Sequence, residues 1–297
     1  MLSVCIPVYN CDVTNLVRDL WAQLEKNKIP SEIILIDDAS NIEFRQINKK
    51  LAKTDRIRYV QLEKNIGRSR IRNLFLSYNG YDYLLFLDCD SQITNHNYIK
   101  HYLKQIEHNH LVICGGRSYL DKRPDKKHYL RWKYGLERES ILAEKRAEKP
   151  YQSFMTNNFV VHAKVLSQIQ FDERLNQYGH EDTLFGFRLK QNEISVTHID
   201  NPTQHIYSES NIEFIQKSEY ALKSLAEIKK FINDKGFDNE LKILRIYKKT
   251  SRFGMKYVLV WIGFLFAPLI LSLVKKNIGG LYLFDFYKLL YFSRLAK

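Results

Sequence analysis

Glycine and proline are scarce, 12 and 6 of 297 residues, while hydrophobic residues make up 45% and charged residues 27%. That balance excludes collagen-like, low-complexity and wholesale disordered architectures, and the length suits two domains or one large α/β unit with an appendage. Cysteine is sparse too. Cys5, Cys11, Cys89 and Cys114 show no CxxC pairing, three lie in or beside apolar runs, and they read as small core hydrophobes. No internal repeat is present. No GxGxxG follows an apolar run, which argues against a dinucleotide dehydrogenase. Ser3 to Tyr9 reads as the first strand of the fold and not as a secretory leader, so this part of the chain is expected in a reducing cytoplasm.

Acid is the scarce charge, and most of all at one end. Lys and Arg number 46 against 33 Asp and Glu, a net +13, which points to nucleic acid, phosphorylated small molecules or an acidic membrane surface. Residues 242–297 carry eleven basic side chains against the single acid Asp285, so +10 of the surplus sits there. Within that tail, Tyr257 to Val274 is eighteen residues without a charge. As a helix it would extend roughly 27 Å, the lower limit for a bilayer core. Gly263 and Pro268 weaken a straight span, and basic residues flank both ends, against the positive-inside rule for one crossing. A re-entrant or interfacial hairpin is expected, completed by the aromatic-rich Ile278 to Phe292. The alternative is a hydrophobic helix packed on the catalytic domain or in a dimer. Nucleic acid is disfavoured as a partner, because the basic residues surround an apolar segment and do not line a polar groove.

Short apolar runs recur at Leu2 to Val8, Ile33 to Ile36, Ile57 to Val60, Tyr83 to Leu87 and Leu111 to Cys114. Between several of them lie amphipathic helical patterns: Val13 to Leu24, Ile71 to Tyr78 and Ile99 to Ile106. Strands alternating with helices predict an α/β fold with a mainly parallel, Rossmann-like central sheet, whose ligands bind at the carboxyl ends of the strands. Asp121 to Pro150 reads as a loop and helix excursion. Order returns at Phe154 to Val161, with a helix over Glu181 to Gln191, a strand near Ile194 to Ile199, and helix over 211–250.

The strand ends carry the chemistry. Asp88 and Asp90 stand at alternate positions where Tyr83 to Leu87 ends, and crowded carboxylates call for a neutralising cation. A hard divalent ion that also takes diphosphate oxygens would serve, the other reading being a polar turn. Asp37-Asp38 ends its strand in the same way and could also be an Asx turn. Tyr9 and Asn10 end the first strand. An aromatic face plus a carboxylate suits a nucleobase. Gly67 opens a helix bearing Arg68, Arg70 and Arg72, with Arg68 and Arg72 on one face: a competent diphosphate site, or else a solvated basic face. His198 reads as a core residue. His205, after the Pro202 turn, is either a third metal ligand or a loop residue.

Taken together, Val4-Cys5-Ile6-Pro7-Val8-Tyr9-Asn10, Ile34-Leu35-Ile36-Asp37-Asp38-Ala39-Ser40, Asn65-Ile66-Gly67 with Arg72-Asn73, and Leu87-Asp88-Cys89-Asp90 resemble the successive signatures of family 2 glycosyltransferases with the GT-A fold. Thr156 to Phe159, Phe171-Asp172-Glu173 and Tyr178 to Asp182 resemble the acceptor half of that family. The resemblance implies inverting sugar transfer from a nucleoside diphosphate sugar, a UDP-sugar by family habit, to a glycan or lipid-linked oligosaccharide. Pro7, Tyr9 and Asp38 would hold the base, Gly67, Arg72 and Asp88 the diphosphate, and Asp90, Asp88 and His205 a divalent Mn2+ or Mg2+. Asp182 matches the general base, with Glu181 and Asn158 binding the acceptor.

The domains expected are a catalytic domain over 1–210 (nucleotide-sugar half 1–115, acceptor half 116–210), a helical extension over 211–250 and a membrane-associated tail over 251–297. The last would seat the enzyme on the cytoplasmic face of the plasma membrane. A noncatalytic nucleotide-binding scaffold that recruits partners to the membrane is the competing reading.

Overall fold

The computed structural model describes residues 1–175, 177–206, 209–232, 234–252 and 255–296, of Arg252 the backbone alone. Two basic positions of the tail, the Arg252 side chain and Lys297, therefore lie outside the described residues. In chain order the elements are β1 (Leu2–Val8), α1 (Thr14–Asn27), β2 (Ser31–Asp37), α2 (Ile42–Asn48), β3 (Ile57–Gln61), α3 (Arg68–Leu74), β4 (Tyr83–Leu87), β5 (Ser91–Gln92), α4 (Tyr98–Glu107), β6 (Val112–Cys114) and β7 (Arg117–Ser118). They continue as α5 (Tyr129–Tyr134), α6 (Ala143–Ala147), β8 (Asn158–His162), α7 (Ala163–Ile169), α8 (Glu181–Gln191), β9 (Thr197–His198), β10 (Thr203–His205), α9 (Asn211–Phe231), α10 (Lys242–Arg252), α11 (Lys256–Lys275) and α12 (Gly280–Leu295). Two compact units result: Met1–Leu120 with Glu139–Asn176 and Glu181–Tyr207, and Asp121–Arg138 with Gln177–His180 and Ser208–Lys297.

The first unit is built on a seven-stranded sheet of order β3-β2-β1-β4-β8-β6-β9. All its neighbours pair in parallel except β8, which runs against both β4 and β6. Successive side chains on a strand face opposite ways, and here both faces are covered, so the strands read as continuous apolar runs. Val4, Ile6, Ile33, Leu35, Leu85 and Val160 pack with α1 and α4 on one face. Cys5, Ile34, Ile36, Leu84, Phe86 and Phe159 pack with α3, α7 and α8 on the other. Pro7 is tolerated inside β1 because pairing to β4 stops at Cys5, so no ladder bond is asked of its missing N–H.

The stretch read as an excursion contains α5 and α6. Arg146 of α6 is buried and donates to the carbonyls of Cys114, Gly115, Ile141 and Ile199, which staples that helix to the end of β6. The strand expected near Ile194 to Ile199 shrinks to Thr197–His198. A second sheet, β5-β10-β7, is made of strands two or three residues long.

In the second unit, Leu130, Phe214, Leu259, Ile270, Leu281, Phe284 and Leu290 form one core. Ser210 and Glu213 close a reciprocal capping box that starts α9. Helices α11 and α12 turn at Asn277 and Gly279, both left-handed. The two helices pack by one face within this unit. The other face is bare, with Tyr257, Trp261, Phe264 and Tyr282 at 70%, 65%, 73% and 82% exposure. Among the described residues, α11 alone is long and apolar enough to cross a membrane by length and composition. Asp285, the one acid of the tail, is held between Arg138 and Lys288 at 3.5 and 2.8 Å.

Candidate active site

The carboxyl ends of β1, β2 and β4 bring together most of the residues singled out above. Tyr9 leaves β1 with 54% of its surface exposed, open to a planar partner. Asn10 follows with φ 49°; its N–H donates to Ser40 Oγ and its Oδ1 accepts from the Asn41 N–H, tying the β1 end to the β2 end. Asp37 is fully buried and structural, accepting from the Ser40 N–H and Tyr59 hydroxyl. Asp38 accepts from the N–H groups of Ile66 and Gly67 at 2.7 and 3.2 Å, and its carbonyl accepts from Asn65. Burial raises its carboxyl above the ordinary range despite those two bonds. Gly67, at φ +84°, makes the backward turn into α3 that this approach requires.

Helix α3 supplies the central link. Arg72 is 2% exposed; Nη2 donates to Asp88 Oδ1 at 3.2 Å, and Nη1 stands 3.7 Å from Glu181 Oε1. Arg68 Nη1 donates to the same Glu181 oxygen at 3.4 Å. One buried guanidinium thus joins the Asp88-Asp90 turn to the first turn of α8, which carries Glu181 and Asp182. Burial works against an ionised Glu181, but Arg68 and Arg72 outweigh it and hold its carboxyl low. Asp182 behaves oppositely. Burial, then the charge of Glu181, pushes it from 3.8 up to about 6, against a 2.6 Å hydrogen bond from the Thr183 N–H. Two adjacent carboxyls driven apart in this way are candidates for different roles in acid–base chemistry.

Asp88 and Asp90 lie past the end of β4, in a turn closed by the Ser91 N–H on the Asp88 carbonyl at 3.2 Å. The expected strand alternation is therefore not what brings them together. They meet through Arg117, whose Nη2 is 3.7 Å from Asp88 Oδ2 and 3.8 Å from Asp90 Oδ1. His205 joins this group. Strand β10 pairs His205 with Ser91 and Thr203 with Arg117, and His205 Nδ1 is 3.3 Å from both Asp90 Oδ2 and Arg117 Nη2. Burial opposes ionisation of Asp90, but His205, Arg117 and Arg68 hold its carboxyl well below the usual range.

Two carboxylates and an imidazole are a suitable donor set for Mn2+ or Mg2+. Asp90 Oδ1 and His205 Nε2 are buried without a hydrogen-bond partner, as atoms awaiting a cation would be. Among the described residues, however, no three acidic, cysteine or histidine side chains are gathered closely enough to hold an ion as they stand. A guanidinium stands among them.

One expected site residue has another task. Asn158 is 1% exposed and spends its whole amide inside the protein: Oδ1 accepts from the hydroxyls of Tyr98 and Tyr102, and Nδ2 donates to the carbonyls of Gly116 and Asn201. With all four positions filled it has nothing to offer an acceptor. His198, expected in the core, is only half-buried at the end of β9; it is bonded to Arg146 and the Pro150 carbonyl and lowered by burial to about 4. Arg117 and Glu139, whose Oε2 lies 3.6 Å from Arg117 Nη1, were missed. The available signal was Gly115-Gly116-Arg117 directly after an apolar run, a charged residue at a strand's carboxyl end.

The family model described as Glycosyl transferase family 2 matches residues 3–169. Curated relatives include a chondroitin synthase of Pasteurella multocida strain Pm70, 27% identical over 63% of this chain and 23% of the relative, and a hyaluronan synthase of Pasteurella multocida, 28% identical over 63% and 22%. This chain thus matches under a quarter of the length of either. Among solved structures, S. aureus TarS in complex with UDP superposes with TM-score 0.55 at 19% identity, covering 99% of this chain and 90% of that one. A mannosyltransferase of Pyrobaculum calidifontis in complex with GDP-Man and Mn2+ gives TM-score 0.56 at 12% identity, covering 83% and 69%. These two share the α/β fold with its mainly parallel sheet. With more than half of its length matched by the family model, the chain belongs to glycosyl transferase family 2.

Proposed function

We propose that this protein is an inverting glycosyltransferase that moves a sugar from a UDP-sugar to a hydroxyl of a glycan or lipid-linked oligosaccharide at the cytoplasmic face of a membrane. The observation that carries the reading is Arg72, one buried guanidinium shared by Asp88 on the donor side and Glu181 beside the candidate base.

In this reading Tyr9 stacks on the uracil, Pro7 lines its pocket, and Asp38 shapes that pocket through the 65–67 turn. Arg68 and Arg72 orient Glu181 toward the acceptor, and Arg72 with the Gly67 turn faces the diphosphate. Asp182, poised near 6, accepts the proton of the attacking hydroxyl. A divalent cation held by Asp90, Asp88 and His205 would supply positive charge for the leaving nucleoside diphosphate. The bare aromatic face of α11 and α12, flanked by Lys256, Lys275 and Lys276, suits the headgroup boundary of an anionic membrane. The relatives named as chondroitin and hyaluronan synthases and the neighbour bound to UDP support a glycan acceptor and a UDP donor.

The test is UDP release and product formation by the purified full chain with Mn2+, a panel of UDP-sugars and glycan acceptors. Transfer that is lost in Asp90→Ala and Asp182→Asn supports the reading. Full activity in both variants would remove the mechanism, and UDP binding without turnover on any acceptor would favour a scaffold.

A further inference from the structure

Arg117 is the charged side chain that the mechanism above does not use, and it stands where the chemistry is densest. It is 14% exposed, on β7, and its Nη2 is 3.7 Å from Asp88, 3.8 Å from Asp90 and 3.3 Å from His205. Charge-assisted hydrogen bonds run at about 2.7–2.9 Å. The contacts to the aspartates are looser than that, so the guanidinium neutralises both carboxylates without a tight bond to either. Asp90 Oδ1 and His205 Nε2 keep their unmet bonding capacity. On its far side Nη1 lies 3.6 Å from Glu139, which also accepts from the Tyr119 hydroxyl. Arg117 is therefore held between two anionic groups, firmly by neither.

We propose that Arg117 is a displaceable internal counter-cation: it holds the place among Asp88, Asp90 and His205 that a divalent ion takes, and yields it when a nucleoside diphosphate arrives. The proposal rests on reading this site as a donor site. A metal ion alone must enter against the positive charge of Arg117, with Arg72 already on Asp88. A diphosphate reverses the balance, because its oxygens give both the ion and the displaced guanidinium an anionic partner. Metal and nucleotide then bind cooperatively, each raising the affinity for the other by the same factor. Glu139 sets how easily the guanidinium leaves, which makes it a positioning residue. The short β5-β10-β7 sheet holds the backbones of Arg117 and His205, and of Ser91 next to Asp90, in register while the side chain moves.

The experiment is Mn2+ binding to the full chain, read from the electron paramagnetic resonance signal of free Mn2+, with and without UDP. Wild type is expected to bind Mn2+ weakly alone and more tightly with UDP, by a factor within the roughly 5–150-fold range of such couplings. Arg117→Met should tighten Mn2+ binding without UDP by about tenfold or more and shrink the gain that UDP brings. Glu139→Gln should act in the opposite direction and weaken Mn2+ binding without UDP, an effect that disappears in the Arg117→Met background.

Thermal unfolding checks each variant. If Arg117→Met does not fold, Glu139→Gln decides. Mn2+ binding that is no tighter in Arg117→Met than in wild type, or unaltered in Glu139→Gln, overturns the proposal. Failure of UDP to bind any form overturns the donor reading instead, and the UDP-free comparison still judges Arg117.

Discussion

Replacing Asp182 by Asn should abolish transfer and at the same time stabilise the protein at neutral pH. Burial and the neighbouring Glu181 raise the Asp182 carboxyl from 3.8 to about 6. An acid whose folded-state value is raised costs nothing below its unfolded value, because it is protonated in both states. The cost grows as pH climbs through the window between the two values and is complete above about 6. Each pH unit of that gap is about 1.4 kcal/mol, so ionised Asp182 costs at most about 3 kcal/mol at pH 7 and under about 1 kcal/mol at pH 4. Asparagine keeps the shape and can still accept from the Thr183 N–H, but carries no charge. Urea unfolding of wild type and Asp182→Asn from pH 4 to pH 8 measures the difference directly. The variant should gain stability as pH rises, while transfer falls by about 100-fold or more, as loss of a general base requires. A variant less stable than wild type at pH 7, or a difference that ignores pH, would refute the claim that Asp182 is held in a strained ionised state.

For the same reason, wild-type kcat/KM should fall as pH drops below about 6, where Asp182 takes up its proton, and a profile flat to pH 5 would exclude it as the base. Asn158→Ala should cost about 3–5 kcal/mol in chemical denaturation, since two tyrosine hydroxyls and two carbonyls lose their partner; a loss under about 1 kcal/mol would mean that the network does not hold the carboxyl ends of β4 and β6 together. Cys11, lowered by the Cys89 side chain beside it and partly exposed, should react with a maleimide before Cys5 and Cys114, whose thiols burial raises, the latter to about 12. Saturating UDP should slow that reaction, read by mass spectrometry, because Cys11 is two residues from Tyr9. Flotation with anionic vesicles should be lost on Trp261→Glu with Phe264→Glu while UDP binding is kept; unchanged flotation would leave the bare face of α11 without a membrane role.

The strands that build the sheet were legible because both of its faces are buried. Val4, Ile6, Leu35 and Phe86 announce themselves as unbroken apolar runs ending in Tyr9, Asp38 and Asp88. Glu181, Asp182 and Arg72 were legible as motif residues, and the structure adds the buried contact of Arg72 with Glu181. What escaped is whatever rests on very short elements or on partners remote in sequence. Strands of two or three residues, such as Arg117–Ser118 and Thr203–His205, have no period to detect, so the alignment of Arg117 with His205 could not be foreseen. Asn158 failed for a related reason: nothing local says that Tyr98 and Tyr102, about sixty positions earlier, will claim its amide. The parity argument that singled out Asp88 and Asp90 does not apply, since both sit in a turn beyond the strand.

The reversal of β8 has a consequence for how such a protein can change. An inverted strand presents its entrance, not its exit, at the rim where β4 and β6 finish, so the chain departs from that rim after Ser118 and comes back to it at Asn158. The intervening forty or so positions are anchored at both ends on one edge and never need to thread across the sheet. Away from Glu139 and Arg146, which tie the stretch to its surroundings, a segment tethered in that fashion tolerates lengthening at small entropic penalty. Sequence can drift there while the carboxylates of the neighbouring turn stay put.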